Sequence, residues 1–211
     1  MMTTQKRLKE LTGGLGKPSK MPGLSYGLPA IHCKTGAKLA KIEGTPCFNC
    51  YALKGNYQYP SVAMAQAARL KAIDSDEWVD AMVEYIPLLT SKLKRPKYFR
   101  WHDSGDVQSR AHFLKIIAIA KALPDFKFWL PTQEREFVAG ISTPDNLVVR
   151  VSGSKVNGRA PNFHNTSTVI TALWALPQGG WECPAPKQKN YCGDCRACWD
   201  KTVRSVSYHE H

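Results

Sequence analysis

The sequence predicts an α/β fold, a partial or open (β/α) barrel of parallel strands followed by a small cysteine-rich C-terminal appendage. Three observations predict it. Short apolar strands alternate with helical stretches, the order that gives parallel strands with right-handed crossovers. About five strands can be found, too few for a complete eight-stranded barrel. From Pro177 onward the composition shifts to Gly, Pro, Cys and charge.

Residues 1–27 read as an irregular basic arm, rich in Gly, Lys and Pro. Residues 28–177 hold the barrel-like domain. Leu28 to Cys33 is a strand, and a loop through Gly36, Gly44 and Pro46 carries Cys47 and Cys50. Ser61 to Ile73 is a helix, since Val62, Ala65, Ala68, Arg69 and Ile73 follow a helical spacing behind a capping serine. Asp76 to Leu93 is a second helix, strained or interrupted near Pro87. Lys97 to His102 is a strand that runs into the turn Asp103-Ser104-Gly105-Asp106. Ser109 to Leu123 is a helix with Phe113, Ile116, Ile117, Ala120 and Leu123 on its apolar side. Phe126 to Leu130 is a strand, Glu134 to Ala139 a short helix, Leu147 to Val151 a β-branched strand, and Thr168 to Leu173 a further strand candidate. Residues 178–211 lack the apolar material for a core and read as an appendage held together by metal.

The 211 residues carry a formal charge of +12 and 43% apolar residues. The charge attracts polyanions, nucleic acid and nucleotides included, although the basic residues are dispersed as on an ordinary lysine-rich surface. The stretch from Met1 to Gly14 has no apolar leader segment, and no run reaches the ~18 apolar residues of a membrane span. The expectation is a cytoplasmic protein with no membrane partner. In a reducing compartment seven cysteines, an odd number, are poorly explained as disulfides.

The cysteines form two groups. Cys33, Cys47 and Cys50 are spaced C-x13-C-x2-C, and Cys183, Cys192, Cys195 and Cys198 are spaced C-x8-C-x2-C-x2-C. Two intervening residues let the chain turn so that neighbouring thiolates reach one metal centre. The cysteines lie among Gly, Pro, Asn, Asp and Lys, where filling a core is not at issue. Four thiolates suit zinc or a 4Fe–4S cluster; three suit a cluster with one iron open, or a zinc site completed by a residue such as His32. Two separate sites, or one cluster drawing on both groups, are both compatible with the spacing.

Polar residues at strand ends are candidates for a ligand crevice, because in parallel α/β folds ligands bind there. They are His102, Asp103, Ser104, Gly105 and Asp106 after one strand, Thr132 and Gln133 after the next, and Arg150 with Ser152 on a third. The bland alternative is a turn with Asp106 capping the following helix. Tyr51, Tyr57, Tyr59, Trp101 and Trp129 can stack on a base or pack internally. No P-loop, dinucleotide fingerprint or H-E-x-x-H motif is present.

Several segments together resemble one family. They are Met21-Pro22-Gly23-Leu24-Ser25, Leu28-Pro29, Cys33-x2-Gly36, Cys47-x2-Cys50-Tyr51-Ala52-x2-Gly55-x-Tyr57, Phe99 through Asp106, and Cys192-x2-Cys195-x2-Cys198-Trp199. The chain is similar over residues 20–200 to the gene-product-eighty-eight-like proteins of bacteriophages. That resemblance implies a phage or prophage origin, hence a host cytoplasm, and an iron–sulfur site. A more distant likeness is to radical S-adenosylmethionine enzymes, with Cys33, Cys47 and Cys50 matching their cysteine loop and Gly105-Asp106 their acidic motif. It implies S-adenosylmethionine as a ligand. The C-x13-C-x2-C spacing departs from the usual C-x3-C-x2-C of that superfamily. The reading that competes with a cluster protein is a basic nucleic-acid-binding or assembly protein with structural metal, zinc or cluster.

Overall fold

A computed structural model describes residues 3–210; Met1, Met2 and His211, at the ends of the arm and the appendage, lie outside it. The elements in chain order are α1 (Thr4–Thr12), β1 (Leu24–Tyr26), α2 (Lys34–Leu39), α3 (Pro60–Ala72), α4 (Trp78–Lys92), β2 (Tyr98–Trp101), α5 (Arg110–Ala122), β3 (Lys127–Thr132), α6 (Arg135–Val138), β4 (Leu147–Val156), β5 (Thr166–Ile170), β6 (Trp181–Glu182) and β7 (Ser205–His209). The seven strands form one sheet in the order β1-β2-β3-β4-β5-β7-β6. Every pairing is parallel. β1 and β6 stand at the two edges, β1 meeting only Gly16 on its outer side in a single antiparallel bridge, so the sheet is open and not a closed barrel.

Alternation along the strands separates the two sheet faces. Leu24, Tyr26, Phe99, Trp101, Phe128, Leu130 and Leu147 point one way and are fully buried. The apolar stripes of α4 (Trp78, Met82, Ile86, Leu89) and α5 (Phe113, Ile116, Ile117, Ala120) join them in a single core. The opposite parity of β2, β3 and β4 carries Tyr98, Arg100, Trp129 and Arg150. This second face is covered by the C-terminal stretch: Trp199 meets Tyr98 and Trp129 edge-on at 5.3 and 5.2 Å, and its indole Nε1 donates to the Phe99 carbonyl. Parallel sheets need cover on both faces. Here helices supply one cover and the cysteine-rich chain the other.

Several elements differ from the sequence reading, each for a physical reason. The N-terminal arm contains α1. Thr3 caps it by accepting from the Lys6 amide, Gly13 ends it at φ 72, and Leu8 and Thr12 are buried. Its basic outer face hides this short amphipathic pattern. The first strand is Leu24–Tyr26, not Leu28–Cys33, where the chain instead makes a 3-10 turn at Ala30–His32 and enters α2. The strand's partner positions against β2 bury all three of its residues. Pro87, half-buried, leaves α4 continuous from Trp78 to Lys92. Ser109, not Asp106, caps α5 by accepting from the His112 amide at 3.0 Å. Residues from 178 onward supply β6 and β7 to the main sheet.

Candidate metal and ligand site

The segment after β1 arches over the carboxyl ends of the strands. Leu28 donates its amide to the Ser104 carbonyl at 2.9 Å. Cys33 then precedes α2, whose start is pinned from across the molecule by Glu134. That buried carboxylate accepts from the amides of Lys34 (3.0 Å) and Thr35 (2.7 Å) and from the Thr35 hydroxyl (2.7 Å). Further on, Val156 at the end of β4 donates to the Gly44 carbonyl, and Tyr51 donates its hydroxyl to the Asp103 carbonyl at 2.6 Å. The loop carrying Cys33, Cys47 and Cys50 is therefore tied to the turns after β2, β3 and β4.

Beneath it lies a cavity of about 450 Å³. All three of these cysteines line it, together with His102, Ser104, Gly105, Asp106 and Gln133 from the strand ends. Gly105, at φ 73, has no room for a side chain, since a Cβ would stand 2.7 Å from the Leu28 Cβ and carbonyl oxygen. Gly36 matters differently. A Cβ there would press on the Cys33 Cβ at 2.9 Å and would touch the Cys33 and Cys47 sulfurs at 3.6 and 3.7 Å, so its hydrogen leaves room for Cys33 and for the space beside both sulfurs.

The electrostatics of this site are those of crowded acids. Burial pushes the Cys33 thiol up, with Asp106, Cys47 and Cys50 adding repulsion. Burial and then Cys50 push Cys47 up to about 12. Burial likewise pushes the Asp106 carboxyl up to about 7, against three donors that hold it down: Thr132 Oγ1 at 2.6 Å and the amides of Val107 and Gln133 at 2.7 and 2.8 Å. A bound cation reverses such a balance and makes thiolates of the thiols. Among the described residues, no three His, Cys, Asp or Glu side chains are already gathered as a set that holds a metal ion.

His102 has φ 53 and a buried ring, and neither nitrogen has a partner. Its ring lies 5.4 Å from that of His112, whose Nδ1 accepts from the Gln108 amide. Burial, then His112 and Arg100, keep His102 well below the ordinary histidine range. His32 is exposed and lines no part of the cavity.

The second cysteine group lies in the stretch that covers the sheet. Burial raises Cys183 and Cys192, and the thiols repel one another there also: Cys195 raises Cys183, and Cys183 and Cys195 raise Cys192. Cys198, pushed up to about 12 by burial, has its sulfur 3.3 Å from the Tyr208 hydroxyl. Tyr208 also lines the cavity. Arg150 is not there. It is fully buried and its donors go to the carbonyls of Thr166, Ala197, Cys198, Asp200 and Val203. Asp103 likewise is no part of the lining and offers the Tyr51 hydroxyl its carbonyl.

A family model described as Gene product 88 matches residues 1–201. The chain belongs to the Gene product 88 family. Within this Gene product 88 chain the match spans both cysteine groups short of the last strand. No match to a curated protein or to a solved structure was found. No helix among the described residues is long and apolar enough to cross a membrane.

Sequence reasoning missed Glu134, Tyr208, Gly36 and Arg100 as site residues. Arg100 had a signal: it is the one charged residue in the strand Tyr98–Trp101 and has the parity opposite to the buried Phe99 and Trp101. Gly36 stands in the Cys33-x2-Gly36 segment but shows its place beside the sulfurs only in three dimensions, and Glu134 and Tyr208 declare themselves only through contacts between distant segments.

Proposed function

We propose that this protein binds an iron–sulfur cluster through Cys33, Cys47 and Cys50, with the cavity as the place where a small molecule meets it. The observation that carries the reading is that the three thiols of the Cys33–Cys50 loop line one cavity at the carboxyl ends of parallel strands. Gly36 supports it by keeping a side chain out of the space beside two of the sulfurs. A cluster held by three thiolates leaves one iron site for another ligand and supplies one-electron chemistry. The distant likeness noted above favours S-adenosylmethionine as that ligand. Cys183, Cys192, Cys195 and Cys198 make a second, four-thiolate set, for a cluster or for zinc.

The surrounding chain has defined work in such a site. Glu134 fixes the start of α2 and so the backbone at Cys33. Tyr51 and Tyr57 both donate to the Asp103 carbonyl, at 2.6 and 3.4 Å, and hold the Cys47–Cys50 turn near the end of β2. His102 presents an uncharged ring and Asp106 a carboxyl poised near neutrality.

The test is iron, sulfide and zinc analysis of protein purified without oxygen, with Cys50→Ala and Cys195→Ala alongside. Each variant is expected to lose the metal of its own group and keep the other's. Wild-type protein free of iron and sulfide after growth with ample iron refutes the cluster, and stoichiometric zinc in its place makes the metal structural.

A further inference from the structure

We propose that the cavity is a binding site for a small organic anion, whose carboxylate or phosphate is held by Arg100 and whose N–H or O–H donor meets Gln133 Oε1. The inference shares the cavity with the cluster reading but stands on other residues.

Arg100 lines the cavity from the end of β2. Its guanidinium lies over the Trp129 ring, 4.5 Å from the centroid, which orients the plane. Its Nη2 donates to the Tyr51 hydroxyl at 3.3 Å, and its Nε is buried with no partner. None of the ion pairs among the described residues includes it. Arg150, on the same face two strands away, shows what a satisfied buried guanidinium looks like here, with its donors spread over five carbonyls. The Asp103 carboxylate acts on the Arg100 guanidinium only at longer range and makes no ion pair with it. A half-buried guanidinium with unused donors and no ion-pair partner suits an oxyanion, and its planar fork fits a carboxylate or phosphate in two-point fashion.

Gln133 supplies the complementary signal. Its Nε2 donates to the Gly153 carbonyl at 2.9 Å, which fixes the amide orientation and leaves Oε1 buried and without a partner. A buried carbonyl oxygen of that kind asks for a donor. A cavity of about 450 Å³ has the size of ordinary small-molecule sites. A ligand with an acidic group and an amine or hydroxyl answers both orphans at once.

The test measures melting temperature and calorimetric binding of anaerobically purified protein with acetate, inorganic phosphate and glycine, at ionic strength held constant with chloride. Saturable stabilisation by acetate or by phosphate is expected, and which of the two acts identifies the acid class. Glycine, with a donor beside its carboxylate, is expected to bind more tightly than acetate; equal binding removes the Gln133 part. Arg100→Gln is expected to weaken binding by on the order of tenfold or more. Should that variant not fold, Arg100→Lys retains the charge without the fork and is expected to weaken binding several-fold. No saturable effect in wild type, or an unchanged one in a folded Arg100 variant, overturns the proposal. Iron is assayed on the same preparations. Anion binding by iron-free protein defeats only the cluster reading, and a cluster without anion binding defeats only this one.

Discussion

Arg150 donates from all three guanidinium nitrogens to main-chain carbonyls of β5 and of the chain between Ala197 and Val203. Its removal strands five acceptors away from water. Arg150→Ala is therefore expected to cost at least about 3 kcal/mol in urea unfolding, whereas Lys71→Ala, at an exposed helical position, is expected to change stability by less than about 0.5 kcal/mol. The sequence marks Arg150 as polar at a strand and so as a ligand group. It does not say that the carbonyls of a segment some fifty residues on will consume it, because that depends on where the tail lies. Histidine sets the acid response. Burial holds His112 down to about 3 and His102 also well below its ordinary value. The unfolded chain takes up these protons near 6.5 while the folded one does not. Their contribution to stability is thus whole above that pH and is lost as pH falls below it. Asp106, raised to about 7, works the other way: its contribution is whole below the unfolded carboxyl pKa and is lost as pH rises through 7. Two histidines outweigh one carboxyl, so stability is expected to fall between pH 6.5 and 4. His112→Phe is expected to flatten that fall by about 1.4 kcal/mol per pH unit, read from urea midpoints.

Among the elements, α5 and β2 to β4 are legible because their periodicity agrees with their surroundings. Phe113, Ile116 and Ile117 bury as their spacing requires, while the cap of α5 falls on Ser109 and not on Asp106. α1 and β1 are less so: a nine-residue basic helix and a three-residue strand gain their stability from partners, as when Tyr26 donates its hydroxyl to the Thr12 carbonyl. The short helix α2 offers the sharpest element-level test. Gly36 weakens it by helix propensity, by about 1 kcal/mol relative to alanine, yet it borders two sulfurs. Gly36→Ala gains about 1 kcal/mol of helix propensity but brings its Cβ to 2.9 Å from the Cys33 Cβ, so it is expected to displace Cys33 and lower iron bound per chain, read by iron analysis beside urea unfolding. Unchanged iron would show that the space between Cys33 and Cys47 is not used.

At the scale of the whole molecule, one open parallel sheet separates a helix-backed core from a face that gathers most of the unusual chemistry. The α/β class and parallel order follow from strand–helix alternation, which is local. The edge position of β6, outside β7, does not follow, because a two-residue strand and the serine-rich Ser205–His209 carry little signal until they pair. The cysteine groups are visible by spacing, and the loop with Cys33, Cys47 and Cys50 does come over the strand ends. Arg100 acquires its meaning only when Trp129 and the cavity are beside it. Electron paramagnetic resonance of dithionite-reduced protein, kept from air and compared with a Cys33→Ala/Cys47→Ala/Cys50→Ala variant, tests the account most directly. A cluster signal in wild type, partly or wholly lost in the variant, is expected. A wild-type sample silent in the resonance and free of iron, or a signal the triple variant keeps in full, contradicts it.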